Sequence, residues 1–230
     1  MTPKVVGVLG GMGPEATILL QERVLQAVDA RDDADHLPLL IDMNPQVPSR
    51  IAHLIEGTGP SPAPVLIGMA QRLEQAGASA LAMPCNTAHH YLAEMSDHLS
   101  VPFLDMTALS IARIAQDLPQ GSSVGFLASP AVQRAGVFDA ALNRHGLRGL
   151  WPEQPDPMLA AIRDIKANGP TQAAARMLSD AASELASKGA AHLIVACSEF
   201  SLLAQDLTAP VPVTDTVDVL AGAIRDHFDD

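Results

Sequence analysis

Short, nearly continuous apolar runs alternate along this chain with longer stretches in which apolar residues recur every three or four positions. Val5–Leu9, Leu37–Met43, Ala78–Met83, Val101–Leu104, Ser123–Ala128 and His192–Ala196 are of the first kind, the pattern of strands buried on both faces. Pro14–Ala30, Pro64–Gln75, Thr87–His98, Leu109–Asp117, Gln133–His145, Pro157–Ala167, Thr171–Lys188 and Val217–Phe228 are assigned as helices, as is a short segment at Val211–Val213. Pro14 stands near the first turn, where a missing N–H costs little, and Gly77 stops the helix before it. Strand and helix in regular alternation predict an α/β chain with parallel sheets and helices on both faces.

The apolar runs also repeat. Val6-Gly7-Val8-Leu9 returns as Val124-Gly125-Phe126-Leu127, Leu81–Cys85 returns in type as Ile194–Cys197, and Val101-Pro102-Phe103-Leu104-Asp105 returns as Val211-Pro212-Val213-Thr214-Asp215. Three matches in one order, each about half the chain apart, mark an internal duplication. They predict two similar α/β lobes facing each other. The last helix returns to the first lobe, so that lobe takes 1–105 plus 210–230 and the second takes 106–209. The Pro- and Gly-rich stretch Gly57–Pro64 reads as a loop.

Composition narrows the partners. The chain has 230 residues, 48% of them apolar but only 3% aromatic, so its core must be aliphatic. A net charge of −12 disfavours nucleic acid and anionic lipid, which both need basic surface. An anionic small molecule would need a local cationic pocket, which draws attention to each of the 14 Lys and Arg. No apolar run is long enough for a membrane helix. The N-terminal run reads as a first strand and not a signal peptide, and two distant cysteines then fit free thiols in a reducing cytoplasm.

Those two cysteines are the leading candidates for chemistry. Cys85 and Cys197 each end an apolar strand and lead into a helix start, where α/β proteins place ligands. A helix N-terminus favours the thiolate, and Asn86 and Thr87 are residue types that cap helices or bind carboxylates; Cys197 repeats the geometry with Ser198 and Glu199 behind it. A buried inert cysteine is the plain alternative at either place; both falling on the duplicated strand end favours function. The loop Gly10-Gly11-Met12-Gly13-Pro14 lets backbone approach a ligand at a helix N-terminus. It loosely matches a dinucleotide fingerprint, with Asp32 or Asp33 near ribose distance, and a tight turn would explain it too. Arg50 lies in a proline-stiffened loop and suits a carboxylate, unless it is a solvated surface residue. Lys166 near a helix C-terminus is favourable there for electrostatic reasons alone. His89 and His90 lack metal-ligand spacing, and Trp151 and Tyr91 read as packing residues.

GVLGGMGPEAT (7–17), NPQVPSR (44–50), MPCNTAHHY (83–91) and ACSEF (196–200) together resemble the aspartate/glutamate racemases that work without pyridoxal phosphate, over essentially the whole chain. The resemblance implies two pseudo-symmetric α/β lobes with the active site in the cleft between them, no cofactor, no metal, a dicarboxylic amino-acid substrate and a homodimer. It implies acid/base roles for Cys85 and Cys197. Asn86, Thr87, Ser129 and Ser198 would hold the α-carboxylate and ammonium, Met12 would line the pocket, and Arg50 and Lys166 would grip the distal carboxylate. Glu199 would join the substrate-binding set. Glutamate racemases of this group usually carry histidine where Glu199 stands and an aspartate in the first glycine loop, so the chain resembles the aspartate branch more. After the second lobe's first strand it has Ser129-Pro130-Ala131-Val132, which keeps a hydroxyl but not the family's second threonine. A related maleate-type isomerase using Cys85 as nucleophile, a dinucleotide enzyme and a non-catalytic amino-acid-binding protein are the alternatives.

Overall fold

A computed structural model describes residues 4–229 and divides them into two compact units, the first running to Met106 and resuming at Val217, the second spanning Thr107–Thr216. The outermost positions of the expected first lobe, 1–3 and 230, lie outside the described residues.

The first unit is built from β1 (Val6–Gly10), α1 (Pro14–Gln26), β2 (Leu39–Met43), α2 (Ala63–Gln75), β3 (Ala80–Ala82) and α3 (Leu92–Ser96). Its strands run parallel in the order β2-β1-β3, with Val8 opposite both Ile41 and Ala82. The segment Val101–Leu104, expected as a strand, makes one bridge, Leu81 to Phe103. Pro102 has no N–H to give, so only its carbonyl (from Leu81 N–H, 2.9 Å) and the Leu104 N–H (to Leu81, 2.8 Å) join the ladder.

The second unit holds α4 (Met106–Ala115), β4 (Ser123–Ala128), α5 (Pro130–Arg134), α6 (Asp139–His145), β5 (Arg148–Leu150), α7 (Pro155–Asn168), α8 (Gln172–Ser187), β6 (His192–Ala196), α9 (Ser198–Ser201) and β7 (Val213–Asp215). Its parallel sheet has the order β5-β4-β6-β7. The final helix, α10 (Thr216–Asp229), carries the chain back to the first unit. There Lys4 Nζ donates to the His227 carbonyl at 2.9 Å and Arg23 pairs with Asp218 at 2.9 Å.

Several expectations are corrected. Val211–Val213 is not a helix: β7 begins at Val213 and pairs with β6, and 210–216 belong to the second unit. The helix expected over Gln133–His145 is two, because Gly136 at φ +60 breaks the path between α5 and α6. The helix expected over Thr87–His98 is a 3-10 turn, Asn86–Tyr91, followed by the single-turn α3. Asn, Thr and two His in that turn are weak helix formers. β5, only three residues long, and a π-helical turn at Ala52–Glu56 have no signature in the apolar pattern.

The duplication runs deeper than the repeated motifs. A Cβ added at Gly7 would lie 2.9 Å from Ala78 Cβ, 3.0 Å from Leu73 Cβ and 3.0 Å from Leu81 Cδ2. At Gly125 the same atom would meet Leu193 Cδ2 at 2.6 Å, Leu185 Cβ at 3.0 Å and Ala190 Cβ at 3.1 Å. In both units a strand glycine lets the preceding-helix leucine and the turn alanine close onto the sheet. Each turn is made alike, with Ala78 N–H on Leu73 and Ala190 N–H on Leu185, both 3.0 Å, after Gly77 and Gly189 at positive φ. The two cores are aliphatic as composition required: Leu66, Met69, Leu81 and Met95 in the first unit, Leu178, Leu185, Leu193 and Val195 in the second, are at most 1% exposed.

Two glycine substitutions should therefore act with opposite sign. Gly125→Ala overpacks the α8–β4 contact and should lower unfolding free energy by about 1–3 kcal/mol. Gly222→Ala, in α10 with nothing within 4 Å of the added carbon, should raise it by about 0.5–1 kcal/mol. Denaturant melts of both variants check this.

Candidate active site

In each unit the last residue before the turn that carries the motif is a cysteine with extended backbone: Cys85 has φ −147 and ψ 101, Cys197 φ −150 and ψ 120. Both thiols are free and each residue is only 6% exposed. Parallel register sets their level. Val8 lies opposite Ala82, and Ala128 opposite Ala196, so the loop after the first strand of each unit ends beside its cysteine. That brings Met12 near Cys85, in one buried cluster with Leu9, Val47 and Tyr91, and sets Ser129 beside Cys197.

Each cysteine is fixed by its own carbonyl. The Cys85 carbonyl accepts from His89 Nδ1 at 3.0 Å. His89 Nε2 accepts the Met106 N–H at 3.2 Å, so the ring proton must sit on Nδ1. Burial lowers the His89 pKa, only partly opposed by Asp105, whose carboxylate lies 4.0 Å from Nε2. The imidazole is a neutral clamp. The Cys197 carbonyl accepts from the Ser201 N–H at 3.1 Å and from its Oγ at 3.4 Å, and that hydroxyl is also 2.7 Å from Asp215 Oδ1. Thus the residue four places after each cysteine reaches toward the aspartate of the repeated Val-Pro-x-x-Asp segment. Sequence inspection missed this role for His89, Ser201, Asp105 and Asp215. The usable signal was there: His89 and Ser201 stand at one position of the duplicated motif.

The glycine loop is backbone-built. Gly11 has φ +89, and a Cβ on it would fall 2.4 Å from the Asn44 carbonyl carbon, so only glycine fits. Its N–H donates to Thr17 Oγ1 at 2.9 Å. Arg50 ties this loop to the next: Nη2 donates to the Met12 carbonyl at 3.2 Å, and Nη1 to those of Pro48 at 3.1 Å and Val47 at 3.4 Å. Among the described residues no carboxylate pairs with Arg50. Asn86 is buried and Thr87 half-buried in the 3-10 turn. Asp32 and Asp33 are exposed in a separate turn where Asp32 caps Asp33–Asp35, which leaves the dinucleotide reading without its acidic partner.

The second unit is wired differently. The Cys197 thiol donates to Glu199 Oε2 at 3.1 Å, and Glu199 Oε1 pairs with Lys166 Nζ at 2.7 Å. Burial pushes the Cys197 pKa well above the ordinary thiol value, and the Glu199 charge and its hydrogen bond push it further. Two backbone N–H groups of the helix start, at Glu199 and Phe200, act the other way and are outweighed. Cys197 therefore rests as a thiol, not as the thiolate that a helix start alone would favour. Lys166 and Glu199, both expected on the substrate, are engaged with each other. The Ser129 hydroxyl accepts the Ala131 N–H at 3.2 Å and caps α5. Ser198 is buried at the first position of α9. Among the described residues no three His, Cys, Asp or Glu side chains are grouped to hold a metal, and no helix is long and apolar enough to cross a membrane.

Comparison with known proteins identifies the family. The model of the Asp/Glu/hydantoin racemase family matches residues 9–224. The broad specificity amino-acid racemase RacX of Bacillus subtilis (strain 168) is 27% identical over 224 residues, covering 94% of each chain. The aspartate racemase of Picrophilus torridus superposes with a TM-score of 0.87 at 26% identity, over 98% of this chain and 94% of that one. The glutamate racemase isoform RacE1 of Bacillus anthracis shares the fold, with a TM-score of 0.69 at 18% identity over 100% of this chain and 83% of that one. A strand-end cysteine in each of two duplicated units, within a match of this extent, places the chain in the Asp/Glu/hydantoin racemase family, as an amino-acid racemase that works without pyridoxal phosphate.

Proposed function

We propose that the protein interconverts L- and D-aspartate by two-base proton transfer at Cα, with Cys85 and Cys197 acting on opposite faces of that carbon. The observation that carries the reading is the unequal setting of two equivalent thiols. Cys197 is held protonated by Glu199 and burial, which suits a donor; Cys85 has no carboxylate hydrogen-bonded to its sulfur among the described residues. In the resting direction the Cys85 thiolate removes the α-proton, the C–H bonding pair stays on the substrate as a carbanion, and the Cys197 S–H delivers a proton to the other face. The next turnover starts with the thiol and thiolate exchanged, so both directions run. Carbanion charge spreads into the α-carboxylate, which backbone N–H groups of the turns at Asn86–Thr87 and Ser198 would stabilise, with Ser129 beside them.

The distal carboxylate is assigned to Arg50, whose guanidinium is anchored by three carbonyls yet has no carboxylate partner among the described residues. That supplies the local positive charge an acidic protein needs. Lys166 adds a second cation on the Cys197 side, where it also steadies Glu199. The protein works as a homodimer in the cytoplasm. The similarity to a broad specificity racemase favours a second reading, in which side chains other than dicarboxylates are accepted. Polarimetry with L-aspartate, L-glutamate and L-alanine, without added cofactor, separates the two: comparable rates on all three would replace the aspartate assignment.

Cys85→Ala and Cys197→Ala should each reduce racemisation by about 10²–10⁴-fold, read as loss of optical-rotation decay. Near wild-type activity in either variant would exclude the two-base scheme. Arg50→Ala should raise KM for aspartate by about tenfold or more while affecting alanine far less. Glu199→Gln removes the negative charge that raises the Cys197 pKa, so the thiol should ionise at lower pH. Peptide-resolved alkylation of Cys197 should then reach its half-maximal rate at lower pH than in the wild type. A midpoint that stays put or moves upward would contradict the assigned wiring.

A further inference from the structure

Tyr91, the single tyrosine of the chain, ends the 3-10 turn that follows Cys85. The residue is 3% exposed and its hydroxyl is buried with no hydrogen-bond partner among the described residues. Buried tyrosine hydroxyls ordinarily find one, so an orphan invites an explanation. Its ring is not loosely placed. His90 packs edge-on at 5.0 Å and His53 tilts against it at 5.9 Å, and it shares a buried cluster with Met12, Val47 and Cys85. Burial raises the Tyr91 pKa to about 12; the Arg50 charge acts on it in the opposite sense, and Cys85 and Glu94 push it further up. The phenol therefore stays protonated, a neutral donor within electrostatic reach of both Arg50 and Cys85.

We propose that the Tyr91 hydroxyl is a specificity-determining substrate contact, donating a hydrogen bond to the distal carboxylate that Arg50 receives. The inference rests on the dicarboxylate reading given above and names a group that reading did not include. A carboxylate oxygen is the natural occupant: it accepts from a phenol and is drawn to the guanidinium, whereas a cationic or apolar group would leave the hydroxyl unsatisfied. A fixed ring also makes the contact demanding of geometry, because little side-chain freedom is left to follow a misplaced oxygen. The oxygen is held ready at a cost to the empty protein, and the ligand repays it.

Tyr91→Phe tests this through stability and binding together. Removing an unsatisfied hydroxyl should leave Tm equal to or above the wild type. Calorimetry should show L-aspartate and succinate, a dicarboxylate that cannot be racemised, binding about tenfold more weakly, with L-alanine shifted far less. Unchanged dicarboxylate affinity, an equal loss for alanine, or a clear fall in Tm, which would reveal a partner within the protein, overturns the proposal. The outcomes also separate it from the activity. Tyr91-dependent succinate binding in a protein that does not racemise aspartate leaves this contact standing and removes the proposed reaction. Racemisation of aspartate with affinity untouched by Tyr91→Phe does the reverse.

Discussion

Everything at the site depends on how closely a helix can approach a parallel strand. The absent side chains of Gly7 and Gly125 let Leu73 and Leu185 sit against the sheet, and the turn after each helix then feeds its strand in at a fixed register. That register, Val8 opposite Ala82 and Ala128 opposite Ala196, decides where each strand stops. The cysteine follows at once. A looser helix–strand contact would let the strand slide, and a slip of one residue turns a side chain to the other face of a sheet. Both cysteines thus owe their placement to the missing Cβ of a glycine.

On this common frame the two units have been given different electrostatics. In the first, a neutral imidazole holds the cysteine carbonyl, a guanidinium is anchored on the Met12 carbonyl, and among the described residues no carboxylate is hydrogen-bonded to the thiol. The second sets a carboxylate directly against its thiol and balances that carboxylate with a lysine. A symmetric scaffold thereby holds an asymmetric pair.

Alternation of apolar runs sufficed for the α/β class, because a buried parallel strand has a compositional signature that survives without context. The duplicated strand ends then singled out Cys85 and Cys197. What escaped did so for physical reasons. The turn at Asn86–Tyr91 looked helical, since nothing local announces that the His89 side chain will bond back to Cys85. Val211–Val213 is too short to show a period, and the identity of β7 comes from its pairing with β6. Lys166 and Glu199 were each legible as charged residues near a site, but not as a pair, since they lie on different helices brought together only by packing. Tyr91 was read as a packing residue because burial is visible in a sequence and an unmet hydrogen bond is not.

The return of α10 to the first unit has a consequence for how the molecule is made. The second unit is one unbroken stretch of chain, whereas the first takes its last helix from the far end, held by Lys4 on the His227 carbonyl, by Ser79 on the His227 ring and by Asp218 on Arg23. A ribosome delivers residues in order. The half that carries Cys85 is therefore translated first but completed last, with α1 waiting through the synthesis of the whole second unit for the helix that pairs with Arg23.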